Sequence, residues 1–195
     1  MKRNVSLLVA LVLVCSFPAF AQTEKDDMQK MMAAMASAAA PGPQHKLLDG
    51  FVGTWDAKVT MWPAPGAEPM VSTGKSEHKW VMGGRFLEQR FKSSFMGQPF
   101  EGLGYAGYDN VKKQHWGVWM DNTTTGVMMT TGPDSDGKSF KSSGSYADPM
   151  TGKDAAIEEV ISVDGPDQLT MSMFGPGPDG KTYKTMEIVY TRSKK

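Results

Sequence analysis

The sequence predicts an all-β fold: a closed antiparallel up-and-down barrel of about ten strands, behind a signal peptide (residues 1–21) and a short Met/Ala-rich helix or tether (residues 22–43). Three observations predict it. From Leu47 to the C-terminus the chain falls into strand-length runs separated by turn residues at hairpin spacing. No run after Leu48 is both long and periodic enough to supply the crossover helices of a parallel sheet. An antiparallel meander of this many strands exposes two edges unless it closes on itself.

The N-terminus has the three parts of an export signal. Lys2 and Arg3 form a basic start, Val5 to Phe17 an apolar run, and Ala19-Phe20-Ala21 a small-residue cleavage site. The run is too short for a bilayer span, which needs about 20 residues, so no stable membrane anchor is expected. Cys15, the single cysteine, lies inside the signal, and Val12-Leu13-Val14 before it lack the small residue that lipidation prefers. The mature chain is therefore free of cysteine and relies on its core for stability. The expected location is the periplasm or the extracellular space. The 21 basic and 21 acidic residues balance, and loss of Lys2 and Arg3 leaves a slightly acidic product. Such a chain lacks the basic excess of a nucleic-acid-binding surface.

Residues 22–43 are rich in Met and Ala and end at Pro41-Gly42-Pro43. Met28, Met31, Met32 and Met35 recur at spacings of three and four, so a helix here carries a methionine stripe. The stripe is read as a leader built from good helix formers, with a soft lid or a thioether site for copper as the sharper alternative.

The turns of the third region, residues 44–195, are marked by Pro63 to Gly66, Gly83-Gly84, Met96 to Pro99, Asp109-Asn110, Asp134 to Gly137, Asp148 to Gly152, Asp164 to Pro166 and Gly175 to Gly180. Alternation then sorts side chains by face. The first strand puts Trp55, Ala57, Val59 and Met61 inside. The second puts Ser76, His78, Trp80 and Met82 inside, against Lys75, Glu77 and Lys79. The third puts Leu87, Gln89, Phe91, Ser93 and Phe95 inside, against Glu88, Arg90 and Lys92. The last places Met186, Ile188, Tyr190 and Arg192 on one face, with imperfect alternation. Around Trp116 and Trp119 both faces carry aromatic residues, so the register of the middle strands stays open.

Small and polar interior positions, Ser76, Gln89, Ser93 and Gly102 or Gly104, imply a cavity beside the aromatics. His78, Trp80, Gln89 and Phe91 share inward parity on two tightly joined strands and are expected to form one wall, with Trp119 as a further candidate ligand contact. No catalytic residue is assigned: Gly-x-Ser-x-Gly, His-Glu-x-x-His and phosphate-cradling glycine loops are all missing. No metal site is expected either, since Asp134 to Gly137 and Pro178 to Gly180 lack the later acidic ligand of a calcium loop. Asn122-Thr123-Thr124 has the form of a glycosylation sequon. Of the adjacent Glu158 and Glu159, at most one faces inward, where it could act as an acid or base near His78 or pair with Arg85 or Arg192.

His45 to Leu48, Gly53-Thr54-Trp55-Asp56, Gly107 to Asn110, Trp119 to Asn122 and Tyr190-Thr191-Arg192 together resemble the bacterial family called Domain of Unknown Function 1579, over roughly Gln44 to Arg192. More remotely, Gly-x-Trp on the first strand and an Arg near the end of the last resemble lipocalin-like (calycin-like) barrels. That resemblance implies that Arg192 packs over Trp55 and closes one end of the barrel. Related nitrobindin-type barrels hold haem through a late histidine. His45, His78 and His115 all lie in the first two thirds of the chain, so the resemblance implies no haem, and no cofactor is assigned.

The resulting expectation is an exported barrel holding a small apolar or amphipathic molecule. Two alternatives stand beside it: a lipocalin-like enzyme using His78 with an interior carboxylate or Tyr, and a structural or interaction module with a filled core. Oligomeric state and ligand identity are not legible in the sequence.

Overall fold

The computed structural model describes the backbone of residues 18–194 and the side chains of residues 23–194. Residues 1–17 of the expected signal peptide lie outside the described residues. Its last four begin α1 (Pro18–Ala39). The chain divides after Ser37 into two units. In the first, the Met/Ala-rich leader is helical, with Met28, Met31, Met32 and Met35 all exposed along it. An exposed Lys30–Asp27 pair at 3.6 Å adds little to that helix. Among the described residues, no helix is long and apolar enough to cross a membrane.

The second unit is the barrel. A short α2 (Pro43–Lys46) and a 3-10 turn (Asp49–Phe51) lead into β1 (Gly53–Met61), β2 (Met70–Val81), β3 (Phe86–Phe95), β4 (Gln98–Asp109) and β5 (Gln114–Asp121). They are followed by β6 (Met128–Gly132), β7 (Ser139–Asp148), β8 (Lys153–Gly165), β9 (Gln168–Pro176) and β10 (Thr182–Arg192). Each strand pairs antiparallel with its sequence neighbours, and β10 pairs with β1, so the sheet closes without an edge. This unit begins upstream of Gln44: Asn110 Nδ2 donates to the carbonyls of Ala38 and Ala40 at 3.1 and 2.8 Å.

Closure follows from the alternation. Trp55, Ala57 and Val59 of β1 are buried and their neighbours are not. They face Ser76 and His78 of β2, Leu87 and Phe91 of β3, Leu169 of β9, and Ile188 and Tyr190 of β10, which are also buried. The register of the middle strands is fixed by pairing. Ala106 opposes Gly117, Gly104 opposes Trp119 and Gly102 opposes Asp121, so His115, Gly117, Trp119 and Asp121 face inward. Trp116 lies on the outer face, edge-on to Phe86 at 5.7 Å.

One expectation needs correction, and two gain detail. Met82 does not face the interior. It is exposed in the β2–β3 turn, where Met82, Gly83 and Gly84 all take positive φ. Glu88 does point outward, but it is buried there under neighbours: Arg90 Nε and Tyr105 OH donate to its carboxylate at 2.8 and 2.9 Å, and Lys79 lies 3.4 Å away. Finally, the imperfect alternation of β10 reflects a bulge between Lys184 and Met186. The extra residue brings Lys184 and Glu187 together in an ion pair at 2.6 Å while Met186, Ile188 and Tyr190 stay inside.

Candidate ligand-binding site

One end of the barrel is plugged by the segment before β1. Leu48 and Phe51 are buried in the core, and Phe51 meets Phe140 edge-to-face at 5.2 Å. Trp55 is fully buried, and its indole Nε1 donates to Phe51 O at 2.8 Å. The Arg192 guanidinium lies 4.1 Å from the centroid of the Trp55 ring. It also donates to three carbonyls: Nε to Pro166 at 3.0 Å, Nη1 to Val52 at 2.9 Å and Nη2 to Gly50 at 3.1 Å. Arg192 thus ties the plug, β1 and the β8–β9 turn together with the planar fork that lysine lacks.

Above the plug lies a cavity of about 530 Å³, within the range that encloses a small molecule. It runs from Leu48 and Phe51 to Phe95, Thr123 and Gly175 at the opposite end. Of the sequence-predicted contacts, His78, Gln89, Phe91 and Trp119 line it. Trp80 does not. It shares their inward parity but sits at the plug, where its Nε1 donates to Asp49 Oδ1 at 2.8 Å. Because a barrel strand runs the height of the molecule, parity gives the face but not the depth.

The polar groups form a directed network. Gln89 Nε2 donates to Ser76 Oγ at 3.1 Å and to Tyr190 OH at 3.3 Å. Ser76 Oγ lies 2.8 Å from His78 Nε2. Ser76 has two lone pairs, so it can accept from Gln89 and still either donate to or accept from His78 Nε2, and the other ring nitrogen, Nδ1, takes the complementary role. That nitrogen is buried and has no hydrogen-bond partner among the described residues. The Tyr190 hydroxyl, likewise accepting from Gln89, keeps its proton to give. The network therefore offers the cavity two polar groups, His78 Nδ1 and the Tyr190 O–H. Burial lowers the His78 pKa to about 4, so the ring is neutral at physiological pH. Burial raises that of Tyr190 well above the usual phenol value.

Glu159 is the interior member of the Glu158–Glu159 pair, opposite Ser142 of β7 and Met173 of β9. Its carboxyl faces the cavity but is surrounded by the barrel wall. Ser142 Oγ donates to it weakly at 3.5 Å, and burial pushes its pKa up to about 7. Two other contributors were missed in the sequence. Tyr190 was placed on the inner face but given no role. Met61 and Met186 take inner faces in the sequence without a role, and Met171 and Met173, which line the cavity with them, are not singled out there. The space expected over Gly102 and Gly104 is filled: a Cβ at Gly102 would overlap the Trp119 ring, and one at Gly104 would come within 3.1 Å of it. Among the described residues, no group of three or more His, Cys, Asp and Glu side chains could hold a metal ion.

A closed antiparallel barrel, plugged at one end beside a Trp–Arg pair and holding an apolar cavity, is consistent with a lipocalin-like fold. The chain belongs to the family described as protein of unknown function (DUF1579), whose model matches residues 40–192. Among solved structures it is similar to Rv2717c from M. tuberculosis at 17% identity and a TM-score of 0.60, covering 80% of this chain and 100% of that one. It is also similar to the S-type phycobiliprotein lyase CPES from Guillardia theta, at 14% identity and a TM-score of 0.52, covering 77% and 92%. At these identities the likeness concerns the fold. No curated protein matches the chain.

Proposed function

We propose that the protein is exported to the periplasm or beyond the cell and there holds one small apolar or amphipathic molecule inside its barrel. The observation that carries this reading is the 530 Å³ cavity, whose apolar wall is interrupted by a few convergent polar groups. Phe91 and Trp119 pack against the apolar body of the ligand, while His78 and Tyr190 stand as polar groups beside its polar tip. Export is supported by Lys2, Arg3, the Val5 to Phe17 run and Ala19 to Ala21. Because Trp119 lies in the wall, a panel of fatty acids, aromatic acids, haem and apolar amines should contain at least one member that changes tryptophan fluorescence. His78→Ala should weaken that ligand roughly three- to tenfold, the worth of one neutral hydrogen bond. A panel without any response would leave the domain as a structural or interaction module.

A second reading, a lipocalin-like enzyme, is favoured by one observation. Glu159 titrates near neutrality within the electrostatic reach of Tyr190, as a general acid or base requires. Mass spectrometry of a ligand recovered after prolonged incubation decides it, and recovery of the unaltered molecule counts against catalysis.

A further inference from the structure

Register aligns one row of side chains across five strands of the interior: Met61 on β1 opposite Met186 on β10, Met186 opposite Met173 on β9, Met173 opposite Glu159 on β8, and Glu159 opposite Ser142 on β7. A carboxyl thus stands in line with three thioethers, Met173 directly beside it and Met186 and Met61 on the strands beyond, with one long hydroxyl contact, and it forms no ion pair with any described residue. Around it, β9 presents no charged residue, with Leu169, Met171, Met173 and Phe174 in the lining, and the titratable group of the β10 lining is Tyr190. On β7, Tyr146 lines the same cavity, and Lys141, also in its lining, lies at outward parity and is exposed. His78 on β2 is neutral above a pH of about 4. Asp121, the other carboxylate of the lining, is bonded already: Trp119 Nε1 donates to Oδ2 at 2.9 Å, and the Thr123 backbone N–H donates to Oδ1 at 2.9 Å. Arg192 is committed to the plug. Among the described residues, the cavity therefore presents no inward cation to receive an acidic ligand and two carboxyls without a countercharge, of which Glu159 also lacks close hydrogen bonds. The wall across the barrel, on β3 to β5, is aromatic, with Phe91 lying 6.0 Å from Phe100 and 6.4 Å from Trp119.

Resting on the reading of the cavity as a binding site, we propose that its occupant is an apolar organic cation, an amine or quaternary ammonium compound, with Glu159 as its counter-ion. Aromatic faces attract such cations through the ring quadrupole, and thioethers are polarisable enough to pack against them. A fatty acid finds the reverse: buried carboxylate against Glu159, with no compensating charge. Since Glu159 holds its proton up to a pH of about 7, a cation must displace that proton at lower pH. Affinity for it then falls roughly tenfold for each pH unit below that value.

Three probes with one apolar cage separate the possibilities: 1-aminoadamantane, 1-adamantanol and adamantane-1-carboxylate, titrated calorimetrically into the wild-type protein. At pH 8 the amine is expected to bind at least about tenfold tighter than the alcohol, with the carboxylate weakest. Between pH 8 and pH 5 its affinity should fall on the order of a hundredfold while that of the alcohol stays constant. In Glu159→Gln the amine should bind no better than the alcohol and lose its pH dependence, and retained alcohol binding reports that the variant is folded. Should the variant fail that control, the wild-type pH profile decides alone. Equal binding of amine and alcohol, preference for the carboxylate, or an unchanged preference in a folded Glu159→Gln overturns the cation assignment and leaves the cavity reading standing. Binding of none of the three overturns both.

Discussion

Trp119 shows how closely single residues are fitted in this barrel. Its ring occupies the slot that Gly102 and Gly104 leave on the neighbouring strand, and its Nε1 donates to Asp121 Oδ2 in a strand-local bond. A methyl at Gly102 cannot share that space, and β4 is held by ladders on both sides, so the ring must yield toward the cavity. Gly102→Ala is expected to cost about 1–3 kcal/mol of stability, as overpacking generally does, and to change the tryptophan emission. It should also reduce affinity for any ligand of the cavity, since the displaced ring takes up ligand space. Chemical denaturation and fluorescence titration measure both effects, and an Ala variant equal to wild type in each would show that the ring does not fill this slot. The two glycines were legible in the sequence as interior positions. Their meaning was not: an inward glycine signals either free space or a neighbour's ring, and only the Gly104–Trp119 register distinguishes the two.

At the scale of elements, the turns were mostly legible because glycine, proline and Asp/Asn announce them, while the β5–β6 turn was not. It lies at Asn122 to Val127, opens with what reads as a glycosylation sequon, and is shaped by Asp121 Oδ1 accepting from the Thr123 backbone N–H at 2.9 Å. The plug was also hidden. Four helical residues and a 3-10 turn are too short to show a period, so the Leu48 and Phe51 anchors carry no sequence signal beyond being apolar. Their burial makes the plug a structural element of the barrel rather than a lead-in. Phe51 contacts Phe140 through its ring and receives the Trp55 indole at its carbonyl. Truncation to Ala should cost about 3–5 kcal/mol, the usual loss for a buried phenylalanine. The urea midpoint of Phe51→Ala measures this, and a shift equivalent to less than about 1 kcal/mol would mean that the plug is not part of the cooperative unit.

For the whole molecule, alternation plus the need to hide sheet edges made closure readable, and the 4.1 Å approach of Arg192 to Trp55 is what a meander whose last strand rejoins its first produces. The interior chemistry was readable only as a set of inward residues, because neither depth along a strand nor proximity across the barrel is encoded locally. The consequence is a balance of opposed titrations that no local pattern displays. His78 has a folded pKa of about 4, below its ordinary 6.5, so the unfolded chain binds the proton more readily. Its contribution to stability is complete above pH 6.5 and is lost as pH falls toward about 4. Burial also lowers His45 and His115, which act in the same direction. Glu159 acts oppositely. Its folded pKa of about 7 exceeds the ordinary 4.5, so the folded chain binds the proton more tightly and its contribution is complete below pH 4.5. That contribution is lost as pH rises through about 7, leaving a penalty of about 3 kcal/mol above it. Glu159→Gln removes this titration and leaves the histidines alone. The variant should match wild type near pH 4.5 and exceed it by about 3 kcal/mol at pH 8, equivalent to roughly 6–12 °C in Tm for a chain of this size. Its stability should also fall more steeply with acid, because the rise that Glu159 supplies toward low pH is gone. Calorimetric melts of both proteins from pH 4.5 to 8 measure the difference, and a difference that does not change with pH would mean that the Glu159 carboxyl is as well solvated in the barrel as in the unfolded chain.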